Sequence, residues 1–479
     1  MSTSPPAALL LLAAILVPLL AAILAASGFR GRDELLGLDL GTTYSAVSIR
    51  SGAGRGNVTV ARHGGRLTTP SVVAVGPRGE LIAGTGAEAV LRGAPARGVV
   101  DAKRVIGRFV EDAMVAAEAP RHAGRLLEHP SARRGRVTGR SATTSKTTRA
   151  ACAADATACA PDLAFAIPLA GLDSSARSAA ARDACIDEGS LVDARSPPTG
   201  WPRAGDLSAL SVTFSTPYFL MLTPQAASCV IARGLRNAAA ATLGHKQAQK
   251  VMAATPADFS AAQRYATTEA LERAGLRVVR LLHEPTAAAL AYGLHQNPEV
   301  HTVVVFDMGG GTLDVSVLFA AENSFTVYAT AGDNALGGED VDDCIAQLLR
   351  QDSRVDETGC PEHRRSAEAE RVKIALSGDG GAGSIPTVAW SCGRLSGELT
   401  AAVFEDACGP LLDRTMVPVR EALERASVAP DDVDEVVLVG GSSRLPWVRA
   451  RLATLFKKAP RSSVDPDLAV AIGAAAAGD

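Results

Sequence analysis

Two segments of the chain, 38–49 and 306–317, share one pattern of apolar and polar positions at a distance of 268 residues. In each, an apolar run ends in Asp, a Gly/Thr turn follows, and apolar residues then alternate with polar ones. This pattern predicts a strand, a tight turn and a second strand. In the second segment, Leu313, Val315 and Val317 are expected to face a core. Two related hairpins predict two related lobes around one cleft, in a duplicated α/β fold.

The rest of the ordered pattern alternates helices with strands. Residues 261–274 are rich in helix formers, 278–282 form a short apolar strand, and 285–293 form an Ala-rich helix that opens with Pro. Residues 435–439 are an apolar strand that enters a Gly-Gly turn, and a helix is expected from Pro446. Strand, glycine turn and helix recur as in nucleotide-binding α/β proteins.

Residues 112–205 break this alternation. Seven Arg, one Lys and one Glu lie between positions 121 and 149, and an Ala/Ser-rich stretch and a Pro-rich stretch follow. A tract of this length without periodicity predicts a low-complexity surface insertion rather than part of the core. Its basic part would suit an acidic partner or an anionic membrane surface, and a solvated loop is the simpler interpretation.

The amino-terminal segment 7–26 is apolar throughout, which is long enough to span a bilayer as a helix. The small residues 25–27 suit signal peptidase, whereas Arg30 and Arg32 behind an uncharged leader favour an uncleaved anchor. Residues 1–29 are therefore expected to be a signal peptide or a membrane anchor, and both alternatives stay open. A sequon at Asn57 would be used only in a secretory lumen. We expect entry into the secretory pathway.

Composition limits the classes of function. The chain has 48 Lys+Arg against 51 Asp+Glu, a net charge of −3, so it is not a polycation that binds nucleic acid. A hydrophobic content of 47% excludes a disordered protein. The eight cysteines are too sparse for a small disulfide-stapled fold, and none has CxxC or zinc-site spacing. They leave the redox compartment open.

The two Asp-Gly/Thr turns carry the candidate chemistry. Glycine-rich turns can point backbone N–H groups at phosphate oxygens, and the hydroxyl groups of Thr42, Thr43 and Thr312 add donors. Asp39 and Asp307 supply the hard oxygen ligands that Mg²⁺ prefers. One such turn would be an ordinary hairpin, whereas two copies with Asp in register favour a paired phosphate clamp.

With the turn Gly440-Gly441, the two hairpins resemble the three signatures of the ATPase domain of the seventy-kilodalton heat-shock protein family. Four further stretches resemble the same family, namely 101–108, 282–294, 331–340 and 465–471. The resemblance covers about 36–110 and 220–479. It implies a duplicated two-lobed actin-like ATPase fold, which is ribonuclease H-like, with a nucleotide cleft between lobe I (33–297, including the insertion) and lobe II (298–479). No peptide-binding domain would be present.

The resemblance also implies ATP or ADP with Mg²⁺ as cofactors and a role for each matching residue. Asp39 and Asp307 would hold hydrated Mg²⁺. The catalytic residues would be Lys103, Glu284, Asp307, Thr312 and Asp314. The phosphates would contact Gly41, Thr42, Thr43, Tyr44, Gly310, Gly311 and Thr312. Adenosine would contact Glu370, Lys373, Ser377, Gly440, Gly441, Ser442, Arg444 and Asp467. Lys103 would help to place the attacking water, since phosphoryl transfer depends mainly on positioning and charge neutralisation.

The sequence departs from the family pattern at three other positions. Many relatives have Arg where Ile374 stands, and its side chain stacks on the base. Asp258 takes a position that is usually aromatic, and His283 takes one that is usually Asn. For Glu284, a charge at a helix N-terminus is the structural alternative to a catalytic role.

An apolar leader and an ATPase core without a peptide-binding domain resemble truncated, microsome-associated members of the family. That resemblance implies an ATPase that hydrolyses Mg-ATP slowly to ADP and phosphate in or on the endoplasmic reticulum. It would assist protein handling through co-chaperones or nucleotide-exchange factors. The alternative is a nucleotide-gated scaffold with negligible turnover. Hydrolysis is favoured over it by four residues, namely Lys103, Glu284, Asp307 and Thr312. A sugar kinase of the same superfold is disfavoured by the helix that opens Glu284-Pro285-Thr286.

Overall fold

The computed structural model describes residues 16, 18, 34–52, 57–108, 112–118, 126–128, 163–181, 183–186, 191–193, 218–244, 249–321, 324–351, 362–377, 387–392 and 395–478. Apart from residues 16 and 18, the apolar segment 7–26 lies outside these ranges, as does most of the basic tract 121–149. None of the helices within these ranges is both long and apolar enough to span a bilayer. The signal-or-anchor prediction stays a prediction.

Strands and helices alternate along the chain. The strands are β1 (Leu35–Asp39), β2 (Tyr44–Ser51), β3 (Asn57–Val60), β4 (Thr68–Pro70), β5 (Val73–Val75), β6 (Leu81–Ala83), β7 (Gly98–Val99), β8 (Leu126–Glu128), β9 (Leu163–Pro168), β10 (Leu191–Asp193), β11 (Tyr218–Leu222), β12 (Lys250–Thr255), β13 (Arg277–His283), β14 (Thr302–Met308), β15 (Leu313–Ala321), β16 (Ser324–Asp333), β17 (Thr387–Cys392), β18 (Leu395–Thr400) and β19 (Glu435–Val439). The helices are α1 (Thr85–Gly93), α2 (Ala113–Glu118), α3 (Ser174–Ala181), α4 (Pro224–Leu243), α5 (Ala261–Arg273), α6 (Glu284–Ala291), α7 (Gly338–Gln351), α8 (Glu362–Leu376), α9 (Ala401–Arg414), α10 (Met416–Ala426), α11 (Pro446–Phe456) and α12 (Ala469–Ala476).

Two sheets repeat one arrangement, which confirms the predicted duplication. The lobe I sheet has the order β13-β12-β1-β2-β3, and the lobe II sheet has the order β16-β15-β14-β19. In lobe I, β1 pairs parallel with β12 and antiparallel with β2. In lobe II, β14 pairs parallel with β19 and antiparallel with β15. Asp39 and Asp307 therefore lie at the same end of equivalent strands.

The apolar alternation of the hairpins is buried as predicted. Leu313, Val315 and Val317 of β15 are fully buried, and so are Leu36 and Leu38 of β1. Each side chain removed from water in this way contributes roughly 1.5–3 kcal/mol to folding. The hairpins are thus fixed by their cores, and their turns are left facing the cleft.

The helix boundaries follow the sequence signals. Ser260 caps α5 in a capping box with Gln263, and Gly275 just beyond the helix has a φ of +79°. Helix α6 begins at Glu284 with Pro285 in its first turn, and α11 begins at Pro446. The predicted strand 435–439 and the helices after the glycine turns are confirmed.

The last helix, α12, packs in lobe I although it follows lobe II in the chain. The hydroxyl of Ser48 on β2 donates to the carbonyl of Ala471 at 2.5 Å. A Cβ added at Gly37 on β1 would collide with the same carbonyl oxygen, so only glycine permits this approach. The predicted boundary, which placed 298–479 in lobe II, is therefore wrong for 469–476.

A further sheet, of order β10-β11-β9-β8, includes residues of the predicted insertion. Strand β9 pairs with β11, and its side chains from Ala164 to Ile167 are at most 1% exposed. A surface position is therefore wrong for this part of 112–205. An apolar strand here completes a core that the surrounding low-complexity sequence conceals.

Each lobe contains a disulfide bond. Cys185 is bonded to Cys229 on α4, and Cys344 on α7 is bonded to Cys408 on α9. Cys392 is also disulfide-bonded. The first bond is reinforced nearby, since Arg233 on α4 donates to both carboxylate oxygens of Asp183 at 2.7 and 2.8 Å. The sequence alone had left the pairing of the cysteines open.

Candidate functional site

A cavity of about 640 Å³ lies between the two lobes. Of the predicted site residues, all but Gly311 line it. These residues are Asp39, Gly41, Thr42, Thr43, Tyr44, Lys103, Glu284, Asp307, Gly310, Thr312, Asp314, Glu370, Lys373, Ser377, Gly440, Gly441, Ser442, Arg444 and Asp467. Gly311 is buried in the turn directly behind the wall. The structure thus brings together segments that are more than 400 residues apart in sequence.

The β1–β2 and β14–β15 turns meet across this cavity. A Cβ added at Gly310 would collide with the hydroxyl of Thr43, so the two turns are in contact. That hydroxyl is buried and has no hydrogen-bond partner among the described residues. A buried polar atom without a partner is costly, so this position suits a ligand oxygen held between the turns.

Lys103 and Glu284 form an ion pair at the centre of the site. Lys103 Nζ lies 2.5 Å from Glu284 Oε1, and the two side chains are 16% and 13% exposed. Burial alone would lower the pKa of Lys103, but the carboxylates of Glu284 and Asp39 outweigh it and raise that pKa. Lys103 therefore stays charged. Glu284 is also the first residue of α6, so the helix-terminal position and the contact with Lys103 are both present.

Three aspartates surround this pair and repel one another. Desolvation inside the cleft, and then the charge of Glu284, raise the pKa of Asp39 to about 7 and the pKa of Asp314 to about 7. The same two causes raise the pKa of Asp307 well above its ordinary value. Four carboxyl groups thus share one lysine, and the excess negative charge favours a cation.

The donor set suits Mg²⁺ that is shared with a ligand. Among the described residues, no three His, Cys, Asp or Glu side chains converge to hold a metal by themselves. Mg²⁺ commonly keeps several waters and binds through one or two carboxylates together with substrate phosphates. Asp39 and Asp307 at the ends of the two turns fit that requirement.

Helix α8 forms the outer wall, where adenosine was predicted. Lys373 Nζ lies 2.7 Å from Asp342 Oδ2 on α7 and donates to the carbonyl of Gly338 at 3.0 Å. Burial raises the pKa of Asp342 to about 7, although Lys373 opposes the shift. Ile374, on the next position of α8, is 62% exposed and lines the cavity.

The opposite wall and the mouth are also polar. Arg444 donates to Asp467 at 3.0 Å and forms a second ion pair with Asp465. At the mouth, Tyr44 is 39% exposed. Burial, followed by the charges of Glu370 and Glu88, raises the pKa of Tyr44 to about 12. The phenol therefore remains a neutral hydrogen-bond donor between the lobes.

The other two departures from the family pattern differ in their placement. Asp258 lines the cavity, and its charge is among the causes that raise the pKa of Asp314, after burial and Glu284. His283 is the N-cap residue of α6 and does not line the cavity. Asp258 thus adds a carboxylate to a site that is already acidic.

Several lining residues were not predicted from sequence. They are Arg66, Arg108, Asn334, Glu339, Asp342 and Arg104. Arg104 follows Lys103 in the stretch 101–108 that resembles the family, so the sequence does indicate its position near the site. Asp342 lies in the first turns of α7, after the Gly337-Gly338 turn.

Known proteins are similar to this chain over both lobes. The family model described as Hsp70 protein matches residues 35–146 and 206–479. The chain is 41% identical over 260 residues to chaperone protein HscA of Pectobacterium carotovorum, and 44% identical over 261 residues to chaperone protein HscA of Proteus mirabilis. Each alignment takes in 54% of this chain and 41% of the relative, so the chain spans about two fifths of the length of these curated relatives.

The family match leaves out residues 147–205, most of the predicted insertion, and covers both lobes and every predicted site residue. The two-lobed arrangement of the described residues is the actin-like ATPase fold that this family shares. These relatives are HscA chaperones and not truncated, microsome-associated members, so the finer resemblance to such members stays a prediction. The chain belongs to the Hsp70 family.

Proposed function

We propose that the cleft binds Mg-ATP and hydrolyses it slowly to ADP and phosphate. One observation carries the proposal: two matched Asp-Gly/Thr turns face each other across a cavity of about 640 Å³, with the Lys103–Glu284 ion pair between them. Phosphoryl transfer needs positioned donors and neutralised charge more than it needs covalent chemistry. The turns supply the donors, and Lys103 supplies a fixed positive charge.

In this proposal each group has one task. Backbone N–H groups of the two turns and the Thr43 hydroxyl bind phosphate oxygens. Asp39 and Asp307 hold Mg²⁺, which when bound neutralises phosphate charge. Glu284 fixes the ammonium group of Lys103, and Asp314 lies beside the same pair. Lys103 then orients a water molecule towards the terminal phosphate.

We further propose that this ATPase assists protein handling through partners. This chaperone role is supported by the HscA relatives, which are named chaperones and of whose length the chain covers 41%. Edge strand β13 presents Arg277, Val279 and Arg280 to solvent. An exposed edge with two cations suits an acidic co-chaperone that adds backbone contacts. Replacing both arginines by Glu is expected to abolish co-chaperone stimulation without changing basal turnover.

We also propose that the chain enters the secretory pathway and works in or on the endoplasmic reticulum. The apolar segment 7–26 supports targeting, and the paired cysteines support an oxidising compartment. Asn57 of the sequon is exposed at the start of edge strand β3. Expression in secretory cells with and without an Asn57→Gln change tests this directly. A glycosidase-sensitive mobility shift in the wild type only is expected, and cytosolic protein with free thiols would contradict the proposal.

Hydrolysis is tested by phosphate release from Mg-ATP in the wild type and two lysine variants. Lys103→Ala should bind nucleotide and release little phosphate, because the positioned charge is lost. Lys457→Ala is the matched control, since Lys457 is 72% exposed and pairs only with Asp431 at the surface among the contacts that the structure describes. Lys457→Ala should release phosphate at the same rate as the wild type. Binding without turnover in the wild type would instead indicate the nucleotide-gated scaffold.

A further inference from the structure

One arginine of lobe I is bonded to two of the cleft loops of lobe II. Arg104 Nη2 donates to the carbonyl of Gly311 at 2.8 Å, and Nη1 donates to the carbonyl of Asn334 at 2.8 Å. Gly311 belongs to the β14–β15 turn, and Asn334 follows β16. The residue is 8% exposed. A buried cation thus joins two separate loops of one lobe to the other lobe.

The contact depends on the shape of the arginine side chain. A guanidinium group has several N–H donors in a rigid fork, whereas a lysine has one small ammonium group. A Cβ added at Gly311 would collide with Arg104 Nη2, so the glycine makes room for this approach. The two loops therefore both bind the guanidinium group of Arg104.

Arg104 also shares a turn with the lysine that faces the proposed phosphate site. Both belong to the short helical turn Ala102–Arg104, which follows Asp101 in the left-handed region with a φ of +54°. Such a conformation is uncommon for a residue other than glycine and persists where the surroundings fix it. Movement of this turn must shift Lys103 and Arg104 together.

We propose that Arg104 is a positioning residue that couples closure of the lobes to the placement of Lys103. When its fork is bonded to Gly311 and Asn334, the phosphate turn of lobe II is held against the turn that carries Lys103. When the lobes part, both bonds break and Lys103 is withdrawn from the phosphate turn. The inference rests on the proposed function, because its consequence is retention and hydrolysis of a nucleotide.

The chain offers a matched control on the same loop. Arg414 on α9 contacts Asp333 at 2.6 Å and donates to the carbonyl of Ala335 at 3.2 Å. Arg414 lies in lobe II, so it supports the 333–335 loop without joining the lobes. Replacement of Arg414 removes its contacts to this loop and leaves the interlobe contact of Arg104 intact.

Release of a fluorescent ADP analogue measures the proposed coupling. Arg104→Gln should release ADP at least about tenfold faster than the wild type, and single-turnover hydrolysis should slow. Arg414→Gln should change either rate by less than about threefold, as expected for a partly exposed pair. Arg104→Lys keeps the charge but cannot bond both carbonyls, so its release should resemble that of Arg104→Gln. If Arg104→Lys or Arg104→Gln released ADP at the wild-type rate, the coupling would be overturned.

Hydrogen exchange without nucleotide separates this inference from the proposed function. Arg104→Gln should speed exchange in peptides that cover 309–312 and 333–339, whereas Arg414→Gln should affect only the second. If the wild type binds no nucleotide but this difference is found, the proposed function fails and the interlobe contact stands. If nucleotide binds and exchange at 309–312 is the same in wild type and Arg104→Gln, the contact is refuted and the proposed function stands.

Discussion

Removal of Lys103 should destabilise the nucleotide-free protein more than removal of its partner charge. Lys103→Ala leaves Asp39, Glu284, Asp307 and Asp314 facing one another with no lysine between them. Glu284→Gln removes one negative charge instead, keeps an acceptor for the ammonium group, and leaves Lys103 beside Asp39. The two variants break the same 2.5 Å ion pair with opposite effects on the net charge of the site.

Proton uptake sets an upper limit on the stability that Lys103→Ala can lose. An unpaired buried charge costs about 3–5 kcal/mol. The cluster can avoid that cost by binding a proton, which for a carboxyl group of ordinary pKa costs about 1.4 kcal/mol per pH unit, or roughly 4 kcal/mol at pH 7 and roughly 1.5 kcal/mol at pH 5. Lys103→Ala should therefore lower the free energy of unfolding by about 3–4 kcal/mol at pH 7 and by about 1.5 kcal/mol at pH 5. Glu284→Gln should lower it by about 1 kcal/mol or less at either pH.

Urea unfolding at pH 7 and pH 5, followed by circular dichroism in the absence of nucleotide and Mg²⁺, measures both differences. We expect Lys103→Ala to be the less stable variant at pH 7, and the difference in unfolding free energy between the two variants to be smaller at pH 5. Equal losses for the two variants, or a loss for Lys103→Ala that does not depend on pH, would refute the idea that excess negative charge dominates the empty site.

Three further results are expected. The nucleotide-free protein should become more stable as the pH falls from 8 to 5. The pKa of Asp39 and of Asp314 is about 7 in the folded state against 3.8 ordinarily, so the folded state binds more protons in this range. Urea unfolding tests this, and an unfolding midpoint that rises with pH would contradict it. Ile374→Arg should tighten ADP binding by about 2-fold to 30-fold through stacking on the base, measured by ADP titration with Ile374→Ala as control, and no gain would place the base elsewhere. Replacing Cys344 and Cys408 by Ser should cost about 4 kcal/mol, from a separation of 64 residues, and reductant should destabilise the wild type but have a smaller effect on this variant.

The sequence was informative where a local pattern decides the structure. The β14–β15 hairpin follows from its alternation, and α5 follows from Ser260 and Gln263 at its start, because both signals act between near neighbours. Duplication of the hairpins then predicts the cleft, and with it the meeting of the two Asp-Gly/Thr turns. These features need no knowledge of distant contacts.

The remaining features depend on distant contacts that leave little local trace. Helix α12 is apolar on all sides, so its pattern does not indicate which lobe buries it; the close approach of Gly37 to Ala471 does. Strand β9 is short and surrounded by low-complexity sequence. The bonds of Arg104 end on backbone carbonyls, which every residue has, so no partner side chain marks them in the sequence.

Calorimetric titration of the full chain with ADP, with and without Mg²⁺, tests the central claim most directly. We expect one ADP site, with binding that weakens when Mg²⁺ is removed, because Asp39 and Asp307 then repel the phosphates without a cation between them. A folded sample that binds no nucleotide with Mg²⁺ present would contradict it, and only the assignment to the Hsp70 family would remain.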